Sequence, residues 1–527
     1  MINNLQHLLD RRPGAIALFI LFLALTAWAW VGFLGSDDVT YAIGAYGWIE
    51  QFPFVGGHGT IRYPITIPMA LSFLTFGHNE YAMVLPSYLA MVALLLCIWR
   101  SIVHISGVFA ANLSLLLLVT LPLVVVQTTI ASVDIVEAFF LFASVLFYAR
   151  YARGEGRMRD LLFSGMLAGL AFLTRETAIF IAVFYAILFL RGYKFSRVRY
   201  LTIAAGFLMI WALEIAYLWI MTGDPLFRFN ISMNHDATID RSIDLAGNLI
   251  IHPAIDPLLV LLFNQEFMLL FWIGVPLSIW FCFSGPDTVL RQFARIITLF
   301  GTSWFICVGA AVTLLPLNPR YFLITALAIA IVAGIALYQL WITKGRARTA
   351  IAILFIIVAT NLLGIFVENR QPLFGERQLA QIAAQNSEII YTDPMTRYRA
   401  DMLLKWENEQ AAVIGDIPPD GALFLYNPAK FESSNRFMDA DMQTLLTPKP
   451  EWEMVETSEP TPELIVTLTE KTGADRFIPG SIWQKLRYRH QPVTLYRVPG
   501  RTSPRSPTPS NRQNNSDARV QTMTATN

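Results

Sequence analysis

Two adjacent carboxylates, Asp37 and Asp38, sit in the stretch GSDDVTYAIGAYGW (35–48), where the first long apolar run of the chain ends, with Tyr41 a turn further on. Ionisable groups recur at the margins of later apolar runs: Arg62 beside Tyr63, Asp134, Arg175-Glu176 in the middle of a run, Asn234-His235-Asp236, and Arg320. Ionisable side chains at membrane depth are costly and face a cavity or a partner, so such a set gathered at one face describes a site for an anionic, lipid-linked substrate. Carboxylates then serve as bases or metal ligands, and arginines hold phosphate through paired donors. Two neighbouring carboxylates also repel each other, which raises the pKa of one and makes it a better proton acceptor.

The elements that must position these residues are written in the hydropathy. Of the 527 residues, 55% are hydrophobic and only 15% are charged. Apolar runs occur near 14–34, 81–99, 107–126, 135–149, 161–190, 200–221, 258–283, 296–316, 321–341 and 349–367. Many are about twenty residues long, enough to cross roughly 30 Å of hydrocarbon. The chain therefore reads as a polytopic, mainly α membrane protein. The run 14–34 follows Arg11 and Arg12 as a signal peptide would, but no small-residue cleavage site follows it, so it reads as a retained first helix. A net charge of +1 gives no reason to expect a nucleic-acid partner. Cys97, Cys282 and Cys307 all lie in apolar runs, which suggests neither a disulfide framework nor a thiolate metal site.

Flanking charge orders the crossings. Arg150, Arg153, Arg157 and Arg159 precede the run 161–190, and Arg191, Lys194, Arg197 and Arg199 follow it. Both clusters belong on the cytoplasmic side by the positive-inside rule, so this run crosses twice and turns outside at TRET (174–177); the whole chain then makes about eleven crossings, N-terminus inside. Asp37, Asp38, Arg62, Asp134, Arg175, Glu176, His235 and Arg320 all fall on the outer face in that scheme. The expected domains are a transmembrane catalytic domain (1–367), a small α/β domain on the outer face (368–500) and a disordered Pro/Ser/Asn/Thr-rich tail (501–527). In the α/β domain, strands are expected at 388–393, 421–427, 463–468 and 493–498, with a helix at 395–406.

Several of these stretches resemble the GT-C membrane glycosyltransferases, in particular the branch of the protein O-mannosyltransferases and the lipid A aminoarabinose transferase. SDDVTYA (36–42) is similar to the family's acidic pair in the first outer loop. RYPITIPMALSFLTFGHNEYAMVLPSYLAMVALLL (62–96) is similar to its pattern of a basic residue, prolines, an apolar helix and FG.NE before LPS.LA. ASVDIVEAFFLF (131–142) is similar to the second acidic loop, LAGLAFLTRETA (167–178) to a helix end, and LNPRYFL (317–323) to an HPRY motif. The resemblance spans roughly 14–370. Three places depart from the pattern: Asp38 stands where Glu is usual, Arg62-Tyr63-Pro64 where His or Lys precedes two prolines, and Arg175-Glu176 where Lys-Gly is usual.

The resemblance implies transfer of a hexosyl or pentosyl group, with inversion, from a polyprenyl-phosphate donor to an extracytoplasmic acceptor that is a lipid, a glycan or a protein. By motif, Asp37 is the base, Asp38 its neighbour and Asp134 the second acid. Arg62, Arg175 and Arg320 are the candidates for the donor phosphate, and Tyr41, Tyr63, Glu176 and His235 line the substrate cavity. No cofactor is called for, while a divalent metal ion stays open. The surroundings implied are membrane lipids, with the bacterial inner membrane as the expected location.

Plainer roles exist for the same residues. Asp37 and Asp38 suit a solvated helix end, and Asp134 suits a helix cap. Arg175 and Glu176 suit a mutual pair, Arg320 a snorkelling side chain, and His235-Asp236 a loop without metal. Two other functions fit the architecture, a transporter or flippase of a lipid-linked glycan and a non-catalytic envelope assembly partner. Transporters usually carry internal repeats, and none is visible here.

Overall fold

The computed structural model describes residues 9–234, 251–311, 317–367, 372–407, 412–431, 440–487 and 490–500. The chain divides into two compact units, Met1–Arg370 and Gln371–Asn527.

The first unit is helical. Its first helices are α1 (Arg12–Trp28), α2 (Asp37–Glu50), α3 (Tyr63–Phe76), α4 (Glu80–Ser106), α5 (Val108–Thr120), α6 (Pro122–Thr128), α7 (Val133–Ala152) and α8 (Met158–Thr174). After a 3₁₀ turn (Glu176–Phe180) come α9 (Ile181–Arg191), α10 (Tyr200–Thr222), α11 (Phe227–Asn234), α12 (Asp256–Phe263), α13 (Leu270–Phe283) and α14 (Val289–Ala310). A second 3₁₀ turn (Pro319–Phe322) leads into α15 (Leu323–Ile342), followed by α16 (Ala347–Val367). Five described helices are long and apolar enough to cross a membrane, six if α5 and α6, bent by 65° at Pro122, form one span.

Burial sorts these helices by place. α15 is central, with 89% of its most apolar window buried, and it packs against α5, α13, α14 and α16. Only 22% of the corresponding window of α10 is buried, and Leu213, Trp219 and Ile220 stand exposed on it, as apolar side chains do when lipid is their solvent. α10 is nevertheless tightly seated on α8. Gly165 and Gly206 face the partner backbone so closely that a Cβ on either would run into Ile203 O or Leu162 O. Small residues allow this approach between helices that hydrophobic exclusion cannot drive together in lipid.

Three expectations are corrected. The run 258–283 is not one helix: it breaks between α12 and α13, where Asn264 Oδ1 accepts from Glu266 N at 2.7 Å and turns the chain. The stretch 37–76, placed as an outer-face loop between the runs 14–34 and 81–99, holds both α2 and α3. In the second unit, 464–472 is a helix and not the strand suggested by ELIVTL; its buried Val466 and Thr469 lie three apart, at helical spacing.

That second unit contains α17 (Phe374–Gln385), β1 (Ile390–Thr392), α18 (Pro394–Glu407), β2 (Val413–Ile414), β3 (Leu423–Tyr426), α19 (Ala440–Leu446), β4 (Glu453–Ser458), α20 (Leu464–Thr472) and β5 (Val493–Arg497). The five strands form one sheet in the order β2-β1-β3-β5-β4. β1 runs parallel to β2 and β3, with Ile390 opposite Leu423, while β5 is antiparallel to β3 and β4, with Tyr496 opposite Phe424. Phe424, Leu446, Trp452 and Val498 make a core of their own.

Candidate active site

Local backbone geometry presents each acid. Gly35 takes a φ of +63°, which lets the chain turn sharply out of the segment after α1. Asp38 closes that turn: Oδ2 accepts from Leu34 N (2.6 Å), and Oδ1 from Ser36 N (2.6 Å) and Val39 N (3.2 Å). Burial raises its carboxyl above the ordinary range, the three backbone donors pull it back, and the like charge of Asp37 adds to the rise. Both Asp38 oxygens are thus occupied by the backbone. Asp37, the first residue of α2, is left pointing outward with about half of its side chain exposed.

Asp134 lies in the first turn of α7, where the positive end of the helix dipole favours a carboxylate. Arg320 follows Pro319 in a 3₁₀ turn capped by Asn318, whose Oδ1 accepts from Arg320 N at 3.1 Å. Arg175 is extended (φ −159°, ψ 140°) and breaks the run 161–190 between α8 and α9.

The fold joins these residues into one chain of charge. Arg320 Nη2 donates to Asp37 Oδ2 at 3.0 Å, and Arg320 Nε lies 3.8 Å from Asp134 Oδ2. Asp134 Oδ1 accepts from Arg175 Nη1. Both guanidiniums stand over the ring of Tyr321, at 4.4 Å (Arg175) and 5.5 Å (Arg320) from its centroid. Trp304 Nε1 holds the Tyr321 carbonyl at 2.9 Å. Among the described residues the buried Asp134 Oδ2 and Arg320 Nε make no hydrogen bond, so each keeps bonding capacity beyond their mutual 3.8 Å ion pair. Asp134, Glu137, Arg175, Arg320, Tyr321 and Trp304 line one small, partly open pocket.

Arg62 belongs to a neighbouring group. Its Nη1 donates to Tyr41 Oη at 2.7 Å and its Nη2 to His58 Nε2 at 3.4 Å, and among the described residues it makes no ion pair. Its Nε is buried without a hydrogen bond. Burial pushes the Tyr41 phenol up to about 12, so it stays protonated; its charged surroundings are Arg62 on one side and Asp37, Arg175 and Asp134 on the other. Tyr41 therefore stands between the two groups.

Two expected neighbours fall elsewhere. Glu176 pairs with Arg228 (Nη1 to Oε1, 2.7 Å) and not with Arg175. Tyr63 packs between the rings of Trp48 and Tyr217, at 5.7 Å from each. His235, with Asp236, lies outside the described residues. Among the described residues no group of three or more His, Cys, Asp or Glu is placed to hold a metal ion. The donor set does not suit one either, since Asp37 and Asp134 face guanidiniums and Asp38 faces backbone N–H groups.

Sequence reasoning overlooked Glu137, Glu214 and Arg228. Glu137 is 2% exposed and accepts from Thr177 Oγ1 at 2.7 Å. Its signal was present, because a residue three after Asp134 shares its helix face. Glu214, the one acid in the apolar segment of α10, is 4% exposed and receives Arg228 Nε at 2.7 Å. A lone acid in such a segment marks a buried partner.

Residues 65–217 match the dolichyl-phosphate-mannose-protein mannosyltransferase family. That segment holds Asp134, Glu137 and Arg175, while Asp37, Arg62 and Arg320 lie outside it. Comparison with curated proteins gives no match. Among solved structures, the chain is similar to ArnT from Cupriavidus metallidurans in the apo state, with a TM-score of 0.53 at 13% identity over 84% of this chain and 96% of that one. It is similar to the same protein bound to undecaprenyl phosphate, with a TM-score of 0.53 at 12% identity over 81% of this chain and 96% of that one. At that identity the likeness speaks for the fold: the chain is an integral membrane protein with the GT-C fold.

Proposed function

We propose that the chain is a membrane glycosyltransferase that moves a sugar from a polyprenyl-phosphate donor to an acceptor outside the cytoplasm, with inversion. The observation that carries this reading is the line Asp37–Arg320–Asp134–Arg175 over Tyr321, beside an arginine, Arg62, that makes no ion pair with any described acid. A fold shared with a protein whose structure contains undecaprenyl phosphate supports the donor class.

The chemistry follows from the partners. A buried phosphate needs a cation, and Arg62 has donors to give without breaking an ion pair. Arg175 is already matched by Asp134 and shapes the cavity. Arg320 exchanges Asp37 for the incoming phosphate, which leaves Asp37 to take the proton of the acceptor hydroxyl. The acceptor oxygen then bonds to the anomeric carbon from the face opposite the leaving group. The carbon–oxygen bond to phosphate breaks with its electron pair going to the polyprenyl phosphate, whose charge meets Arg62 and Arg320. A phosphate leaves without protonation, so one carboxylate suffices, unlike the two used by glycosidases. Asp38 supports this role by holding the turn that presents Asp37. The site belongs to the outer side in the proposed scheme of about eleven crossings.

The test is transfer by the purified protein from a panel of radiolabelled polyprenyl-phosphate sugars. Wild type is expected to label an acceptor fraction with one donor class, and Asp37→Asn to lose about 10² to 10⁴ in turnover while still binding donor. Normal turnover by Asp37→Asn would remove the centre of this mechanism.

A further inference from the structure

Arg228 on α11 is not a member of the charge chain, yet it is only 6% exposed. Its guanidinium reaches four acceptors on three separate pieces of chain: Nε donates to Glu214 Oε1 (2.7 Å), Nη1 to Glu176 Oε1 (2.7 Å), and Nη2 to Ile61 O (2.8 Å) and Leu173 O (3.2 Å). An apolar side chain would pack there at lower desolvation cost, so the identity of its partners carries the meaning. Ile61 directly precedes Arg62, and Leu173 lies on the last turn of α8, just before Arg175.

A second route reaches the Arg62 side chain. Arginine only donates, so His58 Nε2 accepts from Arg62 Nη2 (3.4 Å) and its Nδ1 carries the ring proton. Nδ1 then donates to Ser232 Oγ (3.5 Å), and Ser232 donates its own hydrogen to Glu176 Oε1 (3.3 Å), the oxygen that Arg228 holds. Backbone and side chain of Arg62 are thus both referred to one buried cation.

From this we infer that Arg228 is a positioning residue for Arg62, acting through the Ile61 carbonyl and through Glu176, Ser232 and His58 to aim the Arg62 guanidinium at the donor phosphate. The inference rests on the reading of Arg62 as the phosphate cation. It assigns Glu176 to orientation of a phosphate-binding arginine, where the sequence suggested a place in the cavity wall.

The experiment uses the full-length protein and measures undecaprenyl phosphate binding together with donor KM and kcat for Arg62→Ala, Ser232→Ala, Arg228→Lys and the double variant Arg62→Ala/Ser232→Ala. Ser232→Ala leaves the Arg228 ion pairs intact, so it decides the matter even where Arg228→Lys fails to fold. Ser232→Ala is expected to weaken binding about two- to tenfold, the worth of one hydrogen bond, with KM rising more than kcat falls. On the Arg62→Ala background the same change is expected to do nothing further. Equal weakening with and without Arg62, or wild-type binding by Ser232→Ala while Arg62→Ala loses affinity, would overturn the positioning role and leave the phosphate assignment standing. Wild-type binding by Arg62→Ala would overturn both.

Discussion

Three arginines near the site differ in what already neutralises them, and this difference predicts three phenotypes. Arg62 meets a phenol and an imidazole, so Arg62→Ala is expected to weaken undecaprenyl phosphate binding about 10- to 100-fold with little change in stability. Arg175 is buried against Asp134, and its removal strands a carboxylate; Arg175→Ala is expected to destabilise the protein by about 3–5 kcal/mol, read as thermal unfolding in detergent. Arg320 links the exposed Asp37 to the buried Asp134, so Arg320→Ala is expected to lower turnover more than stability. Equal effects of all three on binding alone would mean that the pairing does not set their roles. The residue types were legible in the sequence because charge in an apolar context is conspicuous. Their pairing was not: Arg175 and Glu176, adjacent in the chain, extend to different partners because an extended residue followed by a 3₁₀ turn sends successive side chains apart.

At the scale of elements, the break between α8 and α9 matters most. Flanking arginines implied a turn at 174–177, and the chain does leave the helix there. The proposed sidedness is tested with membrane-impermeant thiol reagents: Glu176→Cys is expected to label from the outer side and Arg159→Cys only from the cytoplasm. Labelling of position 176 from the cytoplasm would invert the site. The contact between α8 and α10 gives a second prediction. Gly206→Val must push Leu162 O away, and overpacking of this kind is expected to cost about 1–3 kcal/mol or more in thermal unfolding, while a valine at Gly57, where a Cβ meets no other atom within 4 Å, is expected to cost far less. Hydropathy missed the break in 258–283 because both pieces are equally apolar, and it is Asn264 that turns the chain.

For the molecule as a whole, the two units have separate cores. Phe424 is fully buried against Trp452, their ring centroids 5.4 Å apart, so Phe424→Ala is expected to cost the second unit about 3–5 kcal/mol and to open it to protease. The helices of the first unit should keep their melting temperature; a parallel fall would show that the units unfold together. Residues 501–527 carry little apolar surface to bury, and removing them is expected to leave transfer intact. By itself the sequence determined what local composition controls: apolar runs of membrane length, a C-terminal region of lower hydropathy, and carboxylates and arginines at the margins of the runs. Only the tertiary structure decided that Asp37 meets Arg320 across 283 positions, that Asp38 is taken by its own backbone, and that Arg228 bonds the Ile61 carbonyl next to Arg62. Hydropathy is a property of each segment alone, whereas the partner of a buried charge depends on which helices pack together and on the angle at which they do so.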